Sequence, residues 1–278
     1  MASQLYVITA KTHLHAGSGN TNAGVIDNLV QRDPSDNLPC IYASSLKGAF
    51  REYFEEYLKD VPKADKIFGA GINKRKENDT NAKGTHIFHQ ASLLSIPVRS
   101  NLIPFFNATS PAVLQKFLQD AKLFGLEENV ATIEKECIDA IGSLNKGNDP
   151  IVYYSSLVTN LKIEDCKKFT QKDKDQIPQL KKIFGDHLVV FPDKDFQYLC
   201  GDLNLPVIAR NNLENGQSKN LWYEQIVPRE ARFYFFTVHF ESDDKFAANV
   251  NAKEVQIGAN ASIGYGLCKI NNLQTQIQ

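Results

Sequence analysis

HLHAGSGNTNAGVIDNLVQRDPSDNLPCIYASSLKGAFR, residues 13–51, holds the decisive pattern of this chain. A strand delivers His13 and His15 into a run containing Gly17, Gly19 and Gly24, and glycine lets a backbone take positive φ or lie close against a ligand. The loop presents Asp27. A turn at Pro34–Asn37 follows, then a short extended run ending at Ser44 and Ser45, where a helix starts with Lys47 and Arg51 on its first turns. Unpaired amides at a helix start, a capping hydroxyl and two cations four residues apart form a site for an anionic backbone.

Upstream, residues 4–14 alternate and are rich in β-branched and aromatic types, as a central strand is. Downstream, Leu46, Ala49, Phe50, Tyr53, Phe54, Tyr57 and Leu58 make a 3.6-period stripe capped by Ser44 or Ser45. Pro62 and the turn Ile67-Phe68-Gly69 close that region, and residues 71–85, with Lys74, Arg75 and Lys76, are too polar to pack. Residues 85–98 are extended and Pro97 forces a sharp exit. Ser110-Pro111 opens a helix, 127–141 forms a second, 151–158 a strand, and 160–184 a lysine-rich helical stretch broken at Pro178. Asn215-Gly216 marks a β-hairpin, and residues 231–240 read as a strand buried on both faces.

At 278 residues, 42% apolar and 23% charged, the chain can bury one sizeable core with insertions. It has no apolar run of membrane-spanning length and no secretory leader pattern, so a cytoplasmic protein is expected. Five scattered cysteines form no C-x-x-C pair and suggest neither disulfides nor zinc. A net charge of −1 is not that of a free-standing nucleic-acid binder, but one copy within a filament needs only a local cationic stripe. The glycine run lacks the spacing of a dinucleotide fingerprint and the Lys-Ser/Thr ending of a P-loop, and His86 and His89 lack the glutamate of HExxH.

GVIDNLVQRDP followed by SSLKGAFR resembles the N-terminal signature of the RAMP superfamily, the repeat-associated RNA-binding proteins of CRISPR systems. The likeness continues collinearly through IFG at 67–69, SLLSIPVRS at 92–100, LVVFPDKDF at 188–196, LWYEQIVPREARFYF at 221–235 and IGANASIGYG at 257–266. It is most similar to the repeated backbone subunit of type III effectors, and the PVRS and WYEQIVP elements favour type III-B (Cmr) over type III-A. The resemblance implies an α+β fold: a ferredoxin-like or RRM-like palm (about 1–66, 86–109, 186–199 and 226–278), a lid (70–85), a helical insertion (110–184) and a thumb hairpin (200–225), all in one domain.

It also implies a function. Such a subunit coats guide RNA, pairs with target RNA, stacks on other copies of itself and on other effector subunits, and cuts the target at the position of Asp27. That carboxylate would accept the proton of an attacking 2′-hydroxyl or hold a divalent metal, Mg2+ or Mn2+. His15 is a candidate for the acid that protonates the leaving oxygen, the alternative being a histidine that contacts RNA or ends a strand. Gly17, Ser44, Ser45, Lys47, Arg51, Arg210, Gly258, Gly264 and Gly266 are the expected RNA contacts. Ala259 and Tyr265 replace a glycine and a basic residue usual in the family, and Tyr265 can stack on a base instead. The rival reading is a non-catalytic scaffold on guide RNA.

Overall fold

The computed structural model describes residues 1–21, 24–70, 83–144, 149–155, 159–240 and 245–277. In chain order, β1 (Ala2–Ala10), β2 (Gly17–Thr21), β3 (Asn28–Val30) and β4 (Cys40–Ile41) lead to α1 (Ala43–Glu52) and α2 (Val61–Phe68). Next come β5 (His86–Phe88), β6 (Ala91–Arg99), β7 (Phe105–Thr109), α3 (Pro111–Leu123) and α4 (Glu127–Leu144). Then β8 (Ile151–Tyr154), β9 (Thr170–Asp173), α5 (Pro178–Phe184), β10 (Leu188–Val190) and α6 (Asp193–Leu199) follow. The chain closes with β11 (Val207–Glu214), β12 (Gln217–Gln225), β13 (Arg232–His239), α7 (Lys245–Val250), β14 (Lys253–Gln256), β15 (Leu267–Asn272) and α8 (Leu273–Ile277).

Two sheets organise these elements. The larger runs β14-β15-β1-β13-β6-β7-β10-β8-β9, with β4 added to β6 and β5 to β13; the smaller runs β11-β12-β3-β2. This is the α+β class expected. β1 and β13 pair antiparallel from Ala2↔His239 to Thr9↔Arg232, and both are buried on both faces, so each reads as a nearly continuous apolar run. α1 lays Leu46 and Phe50 on the sheet because residues four apart share a face, and Phe54 continues the stripe through a π turn (Tyr53–Tyr57). Phe50 meets Phe246 edge-on at 4.9 Å, Phe68 stacks on Phe88 at 5.3 Å and Tyr6 on Phe235 at 5.0 Å. Truncating any one of these rings to alanine is worth about 3–5 kcal/mol.

Several expected boundaries move. β1 stops at Ala10 because Lys11 and Thr12 both turn their amides to the Leu267 carbonyl; Leu14 then bridges Val227. The N-cap of α1 is Tyr42, without a side-chain cap, so neither Ser44 nor Ser45 caps it. Tyr57 is 77% exposed and leaves the apolar stripe. Pro62 opens α2 rather than ending a region, since Asp60 caps it by accepting from the Lys63 amide. The exit expected at Pro97 is absent: β6 runs on to Arg99, with Pro97 opposite Asn107.

Within the expected helical insertion, the strand expected at 151–158 is β8, and β9 is added to it, extending the large sheet in parallel register from Ile151↔Thr170. Helix within 160–184 is confined to one 3-10 turn and α5, because Pro178 can only start a helix. The expected lid at 70–85 lies almost wholly outside the described residues, as do Lys74, Arg75 and Lys76. The hairpin is as expected, turning on Asn215 (φ 52°) and Gly216 (φ 78°), which match the right-handed twist of β11 and β12. All five cysteines are free, and among the described residues no helix is long and apolar enough to cross a membrane.

Candidate nucleic-acid interface

The small sheet joins the two stretches singled out from sequence. β3 lies parallel to β12 with Asn28 opposite Glu224, so the loop before β3 meets the base of the hairpin. There Asp27 donates its amide to the Tyr223 carbonyl (3.0 Å), and its Oδ2 accepts from the Tyr223 amide (2.7 Å). Asp27 is half-buried, beside exposed Gly24 and Val25, and among the described residues its other carboxylate oxygen has no protein partner. One oxygen fixes the side chain and one is left for a ligand.

His15 lies on the inner side of the same junction. It is 4% exposed, its Nδ1 donates to the Gln225 carbonyl (2.7 Å), and its Nε2 stands 3.6 Å from Glu224 Oε1. The expected acid at an open strand end is therefore a buried ring committed to strand β12. Gly17 is required by that ring, since a Cβ there would stand 2.9 Å from His15 Nε2. His13 sits outside, half-buried, and desolvation followed by the nearby Arg229 charge holds its imidazole below the ordinary value.

Glu224 is the hub. It is 4% exposed, and its Oε2 accepts from Arg210 Nη1 (3.2 Å) and Asn260 Nδ2 (2.8 Å). Arg210 also donates to Asn260 Oδ1 (2.7 Å) and lies 5.2 Å above the Trp222 ring. Arg210, expected at the RNA, is thus spent largely on tying the hairpin to the glycine-rich loop. A buried carboxylate needs such pairing to remain charged. The sequence signal for this hub was the acid–amide pair Glu224-Gln225 set immediately before apolar Ile226-Val227, a place where polar side chains must be paired.

In the glycine-rich loop, Gly258 and Gly266 serve the chain's own packing. A Cβ at Gly258 would lie 2.5 Å from the His15 carbonyl oxygen, and one at Gly266 would lie 2.1 Å from that of Ile257. Both also have positive φ, 82° and 76°. Gly264 (φ 83°) faces open space and remains a position where a ligand can approach the backbone.

At the start of α1, Gln31 reaches across to set the helix end. Its Oε1 accepts the Tyr42 amide (2.6 Å) and its Nε2 donates to Ser45 Oγ (2.9 Å) and the Gly17 carbonyl (3.0 Å). Ser44 is exposed and Lys47 half-buried with no partner among the described residues. Arg51 differs from Lys47: it is held by Asp65 (2.6 Å), Glu55 (2.8 Å) and the Gly69 carbonyl. Its guanidinium staples α1 to α2, so its donors are largely taken up within the chain. Asp33, next to Pro34, is likewise structural, bound to Lys116 (2.9 Å) and Gln90 (2.8 Å).

Among the described residues no three His, Cys, Asp or Glu side chains converge as a metal site. Asp27 brings one carboxylate with one open oxygen. Mg2+ is commonly held by one or two carboxylates with water and phosphate oxygens completing its octahedron. The donor set therefore fits a divalent cation shared with a nucleic-acid phosphate rather than one caged by protein.

Comparison with known proteins follows the same lines. The RAMP superfamily profile matches residues 7–269. The CRISPR system Cmr endoribonuclease Cmr4 of Pyrococcus furiosus is 29% identical over 97% of this chain and 95% of its own length. The CRISPR system CMR subunit Cmr4 of Saccharolobus solfataricus is 24% identical over 95% and 94%. Among solved structures, a chain of the type III-B Cmr-beta complex in its apo state superposes with a TM-score of 0.79 at 24% identity, covering 99% of this chain and 98% of that one. Oligomeric Cmr4 from Pyrococcus furiosus superposes with a TM-score of 0.69 at 23% identity over 98% and 99%.

Proposed function

The chain belongs to the RAMP superfamily, and we propose that it is a repeated backbone subunit of a type III-B CRISPR effector that binds guide RNA and cleaves the complementary target RNA. Supporting this are the near-full-length likeness to a named Cmr endoribonuclease and the fold shared with Cmr subunits. Sequence is read by the guide, so this chain needs only backbone contacts and a reactive group. The observation that carries the nuclease reading is the placement of Asp27, gripped by Tyr223 through one oxygen at the hairpin base while the other stays open.

In the proposed reaction the hairpin holds a target linkage beside Asp27. The target's 2′-oxygen attacks its own phosphorus to give a 2′,3′-cyclic phosphate, the 2′-proton passes to a base, and the bond to the 5′-oxygen breaks as that oxygen takes a proton from solvent. Asp27 either takes the 2′-proton or would hold a divalent cation, Mg2+ or Mn2+, which would supply Lewis-acid polarisation of the phosphate. His15 acts as a positioning residue, fixing β12 through Gln225 and Glu224. Ser44, Ser45, Lys47 and Gly264 line the path of the RNA backbone, where helix-end amides and an unpaired ammonium favour phosphate. Asp27→Asn in the assembled complex tests the reading: cleavage falls at least about a hundredfold while RNA binding persists. Cleavage at the unaltered rate and positions would leave a non-catalytic scaffold as the better description.

A further inference from the structure

The turn at residues 160–168 leads into β9 at the edge of the large sheet, whereas Asp27 adjoins the small sheet, and it arranges like charges without an answering partner. Ile163 and Cys166 exchange both backbone hydrogen bonds (3.2 and 3.0 Å), closing a tight antiparallel turn. That register puts Lys162 opposite Lys167, and Lys168 follows. Directly opposed like charges destabilise a strand pair. Among the described residues none of these three exposed lysines has an ion-pair partner, although the chain's net charge is −1.

The turn is nonetheless firmly set. Glu164 accepts from the Arg99 amide (2.7 Å) and guanidinium (2.8 Å), while the Asn101 side chain donates to the Asn160 carbonyl (2.9 Å) and accepts from the Lys162 amide (2.7 Å). Lys162, Lys167 and Lys168 line a cleft of about 670 Å3 with Asn101, Asn160 and Phe169, and Asp149 is the one acid in its lining. Three ammonium groups, carboxamides and an aromatic ring around one opening suit a phosphodiester backbone with a base lying over the ring. Lysine is depleted in protein–protein interfaces, which disfavours a protein occupant.

We propose that this cleft is a second RNA-backbone site, bound by single-stranded RNA through Lys162, Lys167 and Lys168 and separate from the cleavage site at Asp27. The proposal rests on the RNA-binding reading above. Its test titrates the full-length protein with a mixed-sequence single-stranded RNA across a range of salt concentrations, comparing wild type, Lys162→Glu/Lys167→Glu/Lys168→Glu, and the same three positions changed to Arg. The Glu variant is expected to bind at least about tenfold more weakly, with the slope of log K against log salt reduced by about two; the Arg variant keeps both.

Circular dichroism and urea unfolding of each variant check that the turn's anchors survive. A folded Glu variant with unaltered affinity and slope would overturn the proposal. So would a Glu variant that keeps RNA affinity but no longer joins its own copies by size-exclusion mass, since the cleft would then take an acidic protein surface. Wild-type protein that binds no RNA at any salt concentration would defeat the functional reading itself, and this proposal with it.

Discussion

Tyr223 and Asp27 hold each other twice: the Tyr223 amide donates to the aspartate's Oδ2 at 2.7 Å, and the aspartate's amide donates to the Tyr223 carbonyl at 3.0 Å. The exchange gives the loop before β3 the rigidity of a strand pair at its last residue. Asparagine keeps an acceptor for the Tyr223 amide, whereas alanine does not. Asp27→Asn and Asp27→Ala should therefore lose cleavage alike, while urea unfolding should separate them, alanine being about 1 kcal/mol less stable and asparagine close to wild type.

The Asp33–Lys116 pair gives a pH signature. Partial burial pushes the Asp33 carboxyl up, but hydrogen bonds from the Ser35 side chain, Lys116 and the Ser35 amide, with the Lys116 charge, bring it from 3.8 down to about 2. A depressed carboxylate stabilises the fold above its ordinary value and loses that contribution as pH falls through the folded one. The stability gap between wild type and Asp33→Asn, about 1–2 kcal/mol at pH 5 after solvent screening, should close between pH 4 and pH 2 in urea titrations.

Two glycines of one loop should respond differently to alanine. Gly266→Ala places a methyl against the Ile257 carbonyl at a positive φ and is expected to cost about 3 kcal/mol or more; Gly264→Ala meets open space and costs about 1 kcal/mol. Thermal unfolding ranks them. If Gly264→Ala also weakens RNA binding while remaining folded, the open position is a backbone contact.

Arg51 and Lys47, four residues apart on α1, should separate stability from affinity. Arg51→Ala strips the staple to Asp65 and Glu55 and should destabilise by about 2 kcal/mol, with RNA affinity of the folded protein unaltered. Lys47→Ala should leave unfolding unaltered and weaken RNA binding, with a shallower salt dependence. The reverse pattern would return Arg51 to the phosphate path.

Glu136, 9% exposed, caps α5 from α4 by accepting the Gln179 amide (3.0 Å) and the Leu180 amide (2.7 Å). Glu136→Ala should cost about 2 kcal/mol in urea unfolding, with no change in cleavage per folded molecule.

Periodicity was enough to find what local chemistry specifies. α1, α3, the Asn215-Gly216 hairpin and the twin-faced burial of β13 all follow from side chains a few residues apart, and the α+β class and family follow from the collinear motifs. The partners of individual charged groups were not legible. Of Arg51's partners, Glu55 lies four residues on and is legible in sequence, whereas Asp65, which makes the arginine a staple between helices, is not. His15 and Asp27 sit in one glycine-rich loop, but the crossing of β12 buries the first and leaves the second half-open. β8 falls within the strand expected at 151–158, whereas β9 (Thr170–Asp173) was missed: it is polar and pairs with β8 in parallel, so no hairpin turn announces it.

The grip on Asp27 spans 196 positions of sequence. Loop-closure entropy makes such a distant pairing a late event in folding. During synthesis the acid therefore remains unformed as a site until the ribosome has released the hairpin near the chain's final quarter. On the proposed reading, a nascent fragment holding every residue of the first stretch lacks the pairing that fixes Asp27, and cleavage would have to wait for a nearly finished protein.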